Sequence, residues 1–308
     1  MKAKQLRSSL MLALTALIWG AAFVAQSVGM DYVGPYTFNA ARFIVGGLVL
    51  VPCIFFFQKG KGRGEDADPQ LQKERRRTGI IGGICCGFFL CFAATLQQIG
   101  VSFTSVGKAG FITSLYIIIV PLLGLCIRKK VAANVWISVA IATAGMYLLC
   151  MTEGLSIGKG DFFVFLCAIG FSFHILVIDY FSPKADGVLI SCVQFFTAGA
   201  LSGIMTLLFE KPEWASICAA WAPVLYAGVM SCGVAYTLQV VAQKNIEPTV
   251  ASLIMSLESV FSLLAGWVIL GETLLPKEQF GCVLVFAAIV LAQLPMPGFL
   301  IRNCPEKS

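Results

Sequence analysis

Five side chains able to do chemistry lie inside stretches that are otherwise strongly apolar: Arg42, Lys108, Tyr116, His174 and Glu258. Ionisable groups are expensive inside a bilayer and ordinarily face a bundle interior or water. Glu258 is the deepest carboxylate, nine residues into its apolar run and about 14 Å deep at 1.5 Å per residue. There it either lines a cavity or is a structural, hydrogen-bonded acid. In a cavity it has two uses, holding a cationic ligand group or taking up a proton that couples to transport. Arg42 sits about two turns from the end of its run, where a structural pair, a snorkelling Arg and a ligand contact are equal readings. Lys108, in the first turn of its run, is read as snorkelling. His174 is the only histidine and neighbours Phe171 and Phe173. A lone histidine is ordinarily a satisfied core residue, yet its depth keeps it among the cavity candidates.

Two amphipathic stripes join them. Trp19, Phe23 and Gln26 recur at i, i+4 and i+7, and Tyr236, Gln239 and Gln243 are spaced similarly. An apolar wall with a few polar groups suits a small-molecule site, while helix packing with interhelical amide bonds is the competing reading. The cavity candidates are therefore Trp19, Phe23, Gln26, Arg42, Tyr116, His174, Tyr236, Gln239 and Glu258.

Other chemistries lack their parts. Gly158-Lys159-Gly160-Asp161 matches the GxGD of intramembrane aspartyl proteases, but that reaction needs a second carboxyl at matched depth. Asp161 instead stands where a helix N-terminus attracts an acid. There is no HExxH, GxSxG or Walker loop. The twelve cysteines contain no CxxC, and one histidine disfavours zinc. No enzyme, cofactor or metal is expected, and no basic–aromatic surface suggests nucleic acid.

The elements that must position these residues follow from composition. The chain of 308 residues is 58% hydrophobic and 12% charged, with mean hydropathy +0.86. Soluble domains carry about 25% charge, so this is an integral membrane protein. Ten apolar runs are long enough to span, near 9–28, 35–57, 79–100, 106–127, 131–150, 160–180, 187–209, 217–242, 249–270 and 277–294. With the N-terminus inside, seventeen of the 22 Lys and Arg fall in cytoplasmic segments and three outside. That bias places both termini in the cytoplasm. The hydrophilic stretch 58–78 reads as a flexible cytosolic loop.

The chain also repeats itself. Shifting Thr237–Glu272 back by 142 positions aligns Thr95-Leu96-Gln97 with Thr237-Leu238-Gln239, Ser114-Leu115 with Ser256-Leu257, and Tyr116 with Glu258. A weaker match at 152 lays Arg42-Phe43 on Gln194-Phe195 and Gly47 on Gly199. Spans one to five form one unit (1–150) and spans six to ten another (151–295), with a cytosolic tail at 296–308. Five is odd, so the units have opposite orientation. Inverted repeats commonly mark secondary transporters with a site near the midplane. The expected fold is an all-α membrane protein of ten transmembrane helices in two inverted five-helix repeats around a central cavity.

Trp19-Gly20 with Phe23, Pro35, Arg42-Phe43, Thr104–Gly124, Glu247–Glu272 and Gly281 together resemble the EamA-type permeases of the drug/metabolite transporter superfamily. The resemblance implies ten helices around a cavity partly lined by aromatics, with export of amino acids or related small metabolites. The sequence departs from the family pattern at Cys126–Lys130, where a Gly-Glu pair like Gly271-Glu272 is usual, and at Ser259, where Pro is usual. The expected partners are a small-molecule substrate, the lipid bilayer and a coupling proton, with a homodimer left open. The expected location is the inner membrane. A receptor or assembly partner on a transporter fold is the alternative. Single cysteines at Lys159 and Lys277 in a cysteine-reduced background should label from outside intact cells. Those at Lys130 and Lys244 should not, and equal labelling of all four would refute the topology.

Overall fold

In a computed structural model of the chain, residues 2–61, 69–126, 131, 133–150, 158–270 and 276–293 are described. They form helices joined by short connections, with no strand among them. In chain order these are α1 (Lys2–Gly29), α2 (Pro35–Lys61), α3 (Pro69–Val101), α4 (Val106–Thr113), α5 (Tyr116–Cys126) and α6 (Ala133–Cys150). Then come α7 (Lys159–Phe181), α8 (Gly187–Phe209), α9 (Trp214–Ala219) and α10 (Trp221–Leu225). A π-helix (Tyr226–Tyr236) leads into α11 (Thr237–Gln243), α12 (Pro248–Met255), α13 (Leu257–Leu270) and α14 (Pro276–Gln293).

Eight helical stretches among the described residues are long and apolar enough to cross a membrane, and Val135–Gly145 and Gln279–Ala292 are shorter apolar helices. The chain is a multi-pass membrane protein. Its exposed apolar side chains, such as Leu207, Val268 and Phe286, are what a lipid-facing surface requires.

Three details depart from the sequence reading. The stretch 58–78 is not one flexible loop: α2 continues to Lys61 and α3 begins at Pro69. Proline is favoured at a first helical position, and the following Gln, Leu, Lys, Glu and Arg are good helix formers. Span eight is not a uniform α-helix but contains the eleven-residue π-helix. Spans four and nine are each interrupted, between α4 and α5 at Ser114-Leu115 and between α12 and α13 at Ser256. The two serines are repeat mates. The tail 296–308, Lys130 and Gly271-Glu272 lie outside the described residues.

The interruptions have local causes. At each, backbone bonds tighten from four residues to three: Ile117 N–H donates to the Ser114 carbonyl at 3.0 Å, and Ser259 N–H to the Ser256 carbonyl at 3.1 Å. In span nine, Ser252, Ser256, Ser259 and Ser262 donate their hydroxyls to carbonyls three residues back, at 2.7–2.9 Å. Such back-bonding bends helices, and Ser259 supplies it where the family usually has Pro. Pro121 lies inside α5, which runs on past it. The break in span four comes earlier, at Ser114.

The most extensive helix pairings join the two sequence halves: α3 with α7 and α8, α2 with α8, α6 with α14, and α1 with α13. Glycines make the closest of them. A Cβ at Gly87 would lie 2.7 Å from the Gln194 carbonyl oxygen, and one at Gly160 would lie 2.8 Å from that of Gly100. Gly83 likewise meets Val193 and the Ile190 carbonyl, so the Gly83/Gly87 pair is a close contact with α8. Gly20 lets α1 cross α13, since a Cβ there would sit 2.7 Å from the Phe261 carbonyl carbon and 2.8 Å from the Ser262 nitrogen. This crossing packs α1, which carries Trp19, against α13, which carries Glu258. Gly20→Val should therefore destabilise the purified protein by about 1–3 kcal/mol, a lower melting temperature in detergent. Gly203→Ala, with nothing within 4 Å of the added carbon, should be neutral or slightly stabilising, and equal effects would refute the crossing.

Candidate functional site

All nine residues singled out from the sequence line one space in the bundle interior. Trp19, Phe23 and Gln26 come from α1 and Arg42 from α2. His174 comes from α7, Tyr236 from the last π-helical residue and Gln239 from α11. Tyr116 is the first residue of α5, and Glu258 lies in the first turn of α13. Glu258 is thus not deep inside a continuous helix, as the apolar run suggested. It stands at the head of a half-helix, the second part of span nine. The Ser114 hydroxyl from the other interruption donates to Glu258 Oε1 at 3.4 Å, so the two breaks meet.

The wall is largely aromatic and crosses between halves. Trp19 and Tyr236 have ring centroids 4.6 Å apart. Tyr236 also meets His174 and Phe195 edge-on, each at 5.9 Å. Phe195 stacks on Phe43 at 6.3 Å, and the Arg42 guanidinium lies 5.0 Å from the Phe43 centroid and 5.8 Å from that of Phe38. Arg42 does not snorkel: it is 2% exposed, a cation over aromatic faces. His174 is wholly buried, with Nε2 paired to Gln194 Oε1 at 3.1 Å. Phe171 meets it edge-on, while Phe173 turns outward and stacks on Phe89. Gln243, third in the second stripe, donates to the Ile175 carbonyl at 3.4 Å and does not line the space.

Many polar atoms here are unsatisfied. Trp19 Nε1, Gln26 Oε1, Arg42 Nε, Tyr116 OH, His174 Nδ1 and Gln239 Oε1 are buried without a hydrogen-bond partner. Buried polar groups are nearly always paired, so six orphans around one space are what a site awaiting a polar ligand or water shows. Only about 30 Å³ is free for the centre of a water molecule, room for about two waters.

Six further residues line the space: Gln97, Thr113, Phe171, Ile175, Ser231 and Met255. The repeat could have found most of them. Gln97 is the mate of Gln239 and Thr113 that of Met255 at the offset of 142, while Phe171 and Ile175 are mates of Trp19 and Phe23 at 152. Gln97 Nε2 donates to Thr113 Oγ1 at 3.2 Å. Ser231 carried no signal, because its position depends on the π-helix.

Lys108 and Asp161 do not line the space. Lys108 does not snorkel: its Nζ lies 2.7 Å from Asp161 Oδ2, joining α4 to α7. Asp161 also accepts from the Thr104 hydroxyl and the Gly158 N–H, each at 2.8 Å, which bears out its reading as a helix-terminal acid. The Glu210 carboxylate accepts from Tyr36 and Thr37 N–H at 3.0 and 2.8 Å, tying the end of α8 to the start of α2.

The EamA-like transporter family model matches this chain twice, over residues 6–151 and 158–294. The chain belongs to the EamA-like transporter family. A transporter of Archaeoglobus fulgidus, described as uncharacterized, is 30% identical over 296 residues, covering 94% of this chain and 87% of that protein. A second, the uncharacterized transporter YoaV of Bacillus subtilis, is 23% identical over 283 residues, 89% of this chain and 92% of its own. A crystal structure, titled only as that of a protein, superposes with a TM-score of 0.71 at 18% identity, covering 93% of this EamA-like chain and 96% of its own. That likeness shows the fold. Family and relatives alike mark the chain as a membrane transporter.

Within this EamA-like transporter the Lys108–Asp161 pair joins opposite halves. A double-mutant cycle of Lys108→Met and Asp161→Asn, read by thermal denaturation, should give a favourable coupling of about 1 kcal/mol. Additive effects would mean that the contact contributes nothing to holding α4 against α7.

Proposed function

We propose that the chain is a secondary carrier that moves a small organic metabolite, an amino acid or a related compound, outward across the cytoplasmic membrane by alternating access. One observation carries this reading: polar and aromatic side chains from both sequence halves converge on one space and leave six polar atoms unsatisfied. Val135–Gly145 and Gln279–Ala292 serve as spans five and ten, completing ten spans with both termini cytoplasmic. The double match to one family model and the interruptions at matched serines support two inverted repeats.

The space as it stands has room for about two waters, whereas ligand pockets ordinarily measure about 300–1,000 Å³. This conformation is therefore closed around its site, and loading requires the halves to part. With the N-terminus inside, the Lys108–Asp161 and Glu210–α2 contacts lie on the outer side and must loosen for release. The Asn245 side chain, which donates to the Ser8 hydroxyl at 3.2 Å, is among the contacts on the inner side. Parting the halves on one side while they stay joined on the other is alternating access in physical terms.

Glu258 is the coupling residue in this reading. Arg42, Tyr116, His174 and Tyr236 share its cavity. A carboxyl that meets a proton or a ligand cation from whichever side is open links occupancy to conformation. Glu258→Gln is nearly isosteric, so expression and melting temperature should be kept, while the pH dependence of flux in proteoliposomes over roughly pH 5.5–8.5 should be lost. Tyr116→Phe should have a weaker effect. A wild-type pH profile in Glu258→Gln would remove the coupling role, and failure of the protein to move any solute would remove the carrier reading.

A further inference from the structure

Span eight has side chains spaced by five where an α-helix would not bring them together. Tyr226, Ser231 and Tyr236 are five apart, and so are Gly228 and Gly233. An i→i+5 hydrogen bond sets residues five apart nearly one above the other. At 3.6 residues per turn they would point about 140° apart. In the π-helix the first set faces α1 and the central space. The Tyr226 hydroxyl donates to the Ile18 carbonyl at 3.2 Å, and Ser231 and Tyr236 line the space. The second set faces α2: a Cβ at Gly228 would lie 2.6 Å from Val45 Cγ1, and one at Gly233 3.3 Å from Val49 Cγ1. An α register would break both sets.

Two threonines favour different registers. Thr15 of α1 is wholly buried, and its hydroxyl lies 3.0 Å from the Met11 carbonyl and 3.1 Å from the Ala235 carbonyl in the last π turn. It has one proton for two acceptors. In the π register it ties α1 to Ala235, and Met11 can take it whenever Ala235 moves away. Thr237, where α11 begins, has a buried hydroxyl oxygen with no partner. Inside α-helices, Thr143, Thr197 and Thr206 donate to the carbonyl four residues back at 2.7–2.9 Å. The corresponding acceptor for Thr237 is the Gly233 carbonyl, which lies within the π-helix and does not meet it. At this junction the Thr237 N–H instead turns back three residues, to the Val234 carbonyl. The π register thus gains a bond from Thr15 across the bundle, and the α register would gain one from Thr237 within the helix.

We infer that span eight is a two-register element, held in the π register by Thr15 and drawn toward the α register by Thr237. Thr15 is a positioning residue. It does not line the space but fixes the turn that puts Ser231 and Tyr236 there together. When the register steps to α, one of the two leaves the wall and the shape of the space changes. A small step between two packed arrangements is a known means of switching a protein between states. Its part in transport rests on the carrier reading, whereas the register change itself does not.

Amide hydrogen exchange of the purified full-length protein tests it, since exchange reports local opening. Peptides covering 226–240 should exchange faster than those of α2 and α8. Thr15→Val should speed them by about three- to tenfold, as loss of one hydrogen bond requires, and Thr15→Ser should restore the wild-type rate. Thr237→Val should leave them unchanged or slower, because it removes support from the other register. A merely structural role would loosen the segment in both variants, so faster exchange in Thr237→Val would overturn the inference. So would a segment that exchanges no faster than α2 and α8, or one that ignores Thr15→Val. Should Thr15→Val fail to fold, the wild-type comparison and Thr237→Val still decide. In proteoliposomes loaded with radiolabelled amino acids, each valine variant should slow flux by about threefold or more. Unchanged flux in both would overturn the part of the register change in transport. Expected exchange with no flux in the wild type would overturn the carrier reading and leave the register change standing.

Discussion

Inside a bilayer every backbone polar group must be satisfied within the protein, and a broken helix survives only where protein or enclosed water surrounds it. The paired interruptions at Ser114 and Ser256 meet this condition by facing each other across the bundle interior. Each break is kept mild by backbone bonds three residues apart, and in span nine the serine hydroxyls hold successive carbonyls. The breaks place the starts of α5 and α13 at the cavity, and with them Tyr116 and Glu258. The closeness of α1 to α13 through Gly20, and of α3 to α7 and α8 through small residues, holds the helices that line this space together.

The same arrangement explains how so many polar groups are tolerated without partners. The lining is shared between halves, so no single helix carries the whole desolvation cost. Aromatic faces cover what hydrogen bonds do not: Phe38 and Phe43 against Arg42, Tyr236 against Trp19 and His174. The ionic and carboxylate-capped contacts at Asp161 and Glu210 lie away from the cavity, so they bear on how the halves meet rather than on what is bound.

The lining of this space was largely legible in the sequence. A charge or amide inside a long apolar run has few places to go in a membrane, so depth alone flagged Arg42, His174 and Glu258. Helical spacing put Trp19, Phe23 and Gln26 on one face. The repeat supplied a second reading of the same wall, since Gln97 and Gln239, or Tyr116 and Glu258, are one position occupied twice. Where this reasoning failed, the cause was a contact between distant segments. Lys108 looked like a snorkelling lysine until α7 brought Asp161 within 2.7 Å. Gln243 kept its helical spacing but turned to the Ile175 carbonyl.

The sequence by itself determined that this chain spans a membrane, that it repeats, and which residue types are buried at depth, because hydropathy and periodicity are local properties read along one strand of chain. It also determined the family, through motifs distributed over nearly the whole length. Only the tertiary structure decided that nine candidates from seven segments share one space, that spans four and nine are interrupted at matched serines, and that span eight contains a π-helix. Those facts depend on how closely α2 passes Gly228 and Gly233, how α1 crosses at Gly20, and where a carbonyl finds its donor. Such distances are set between segments far apart in sequence, and no local pattern encodes them.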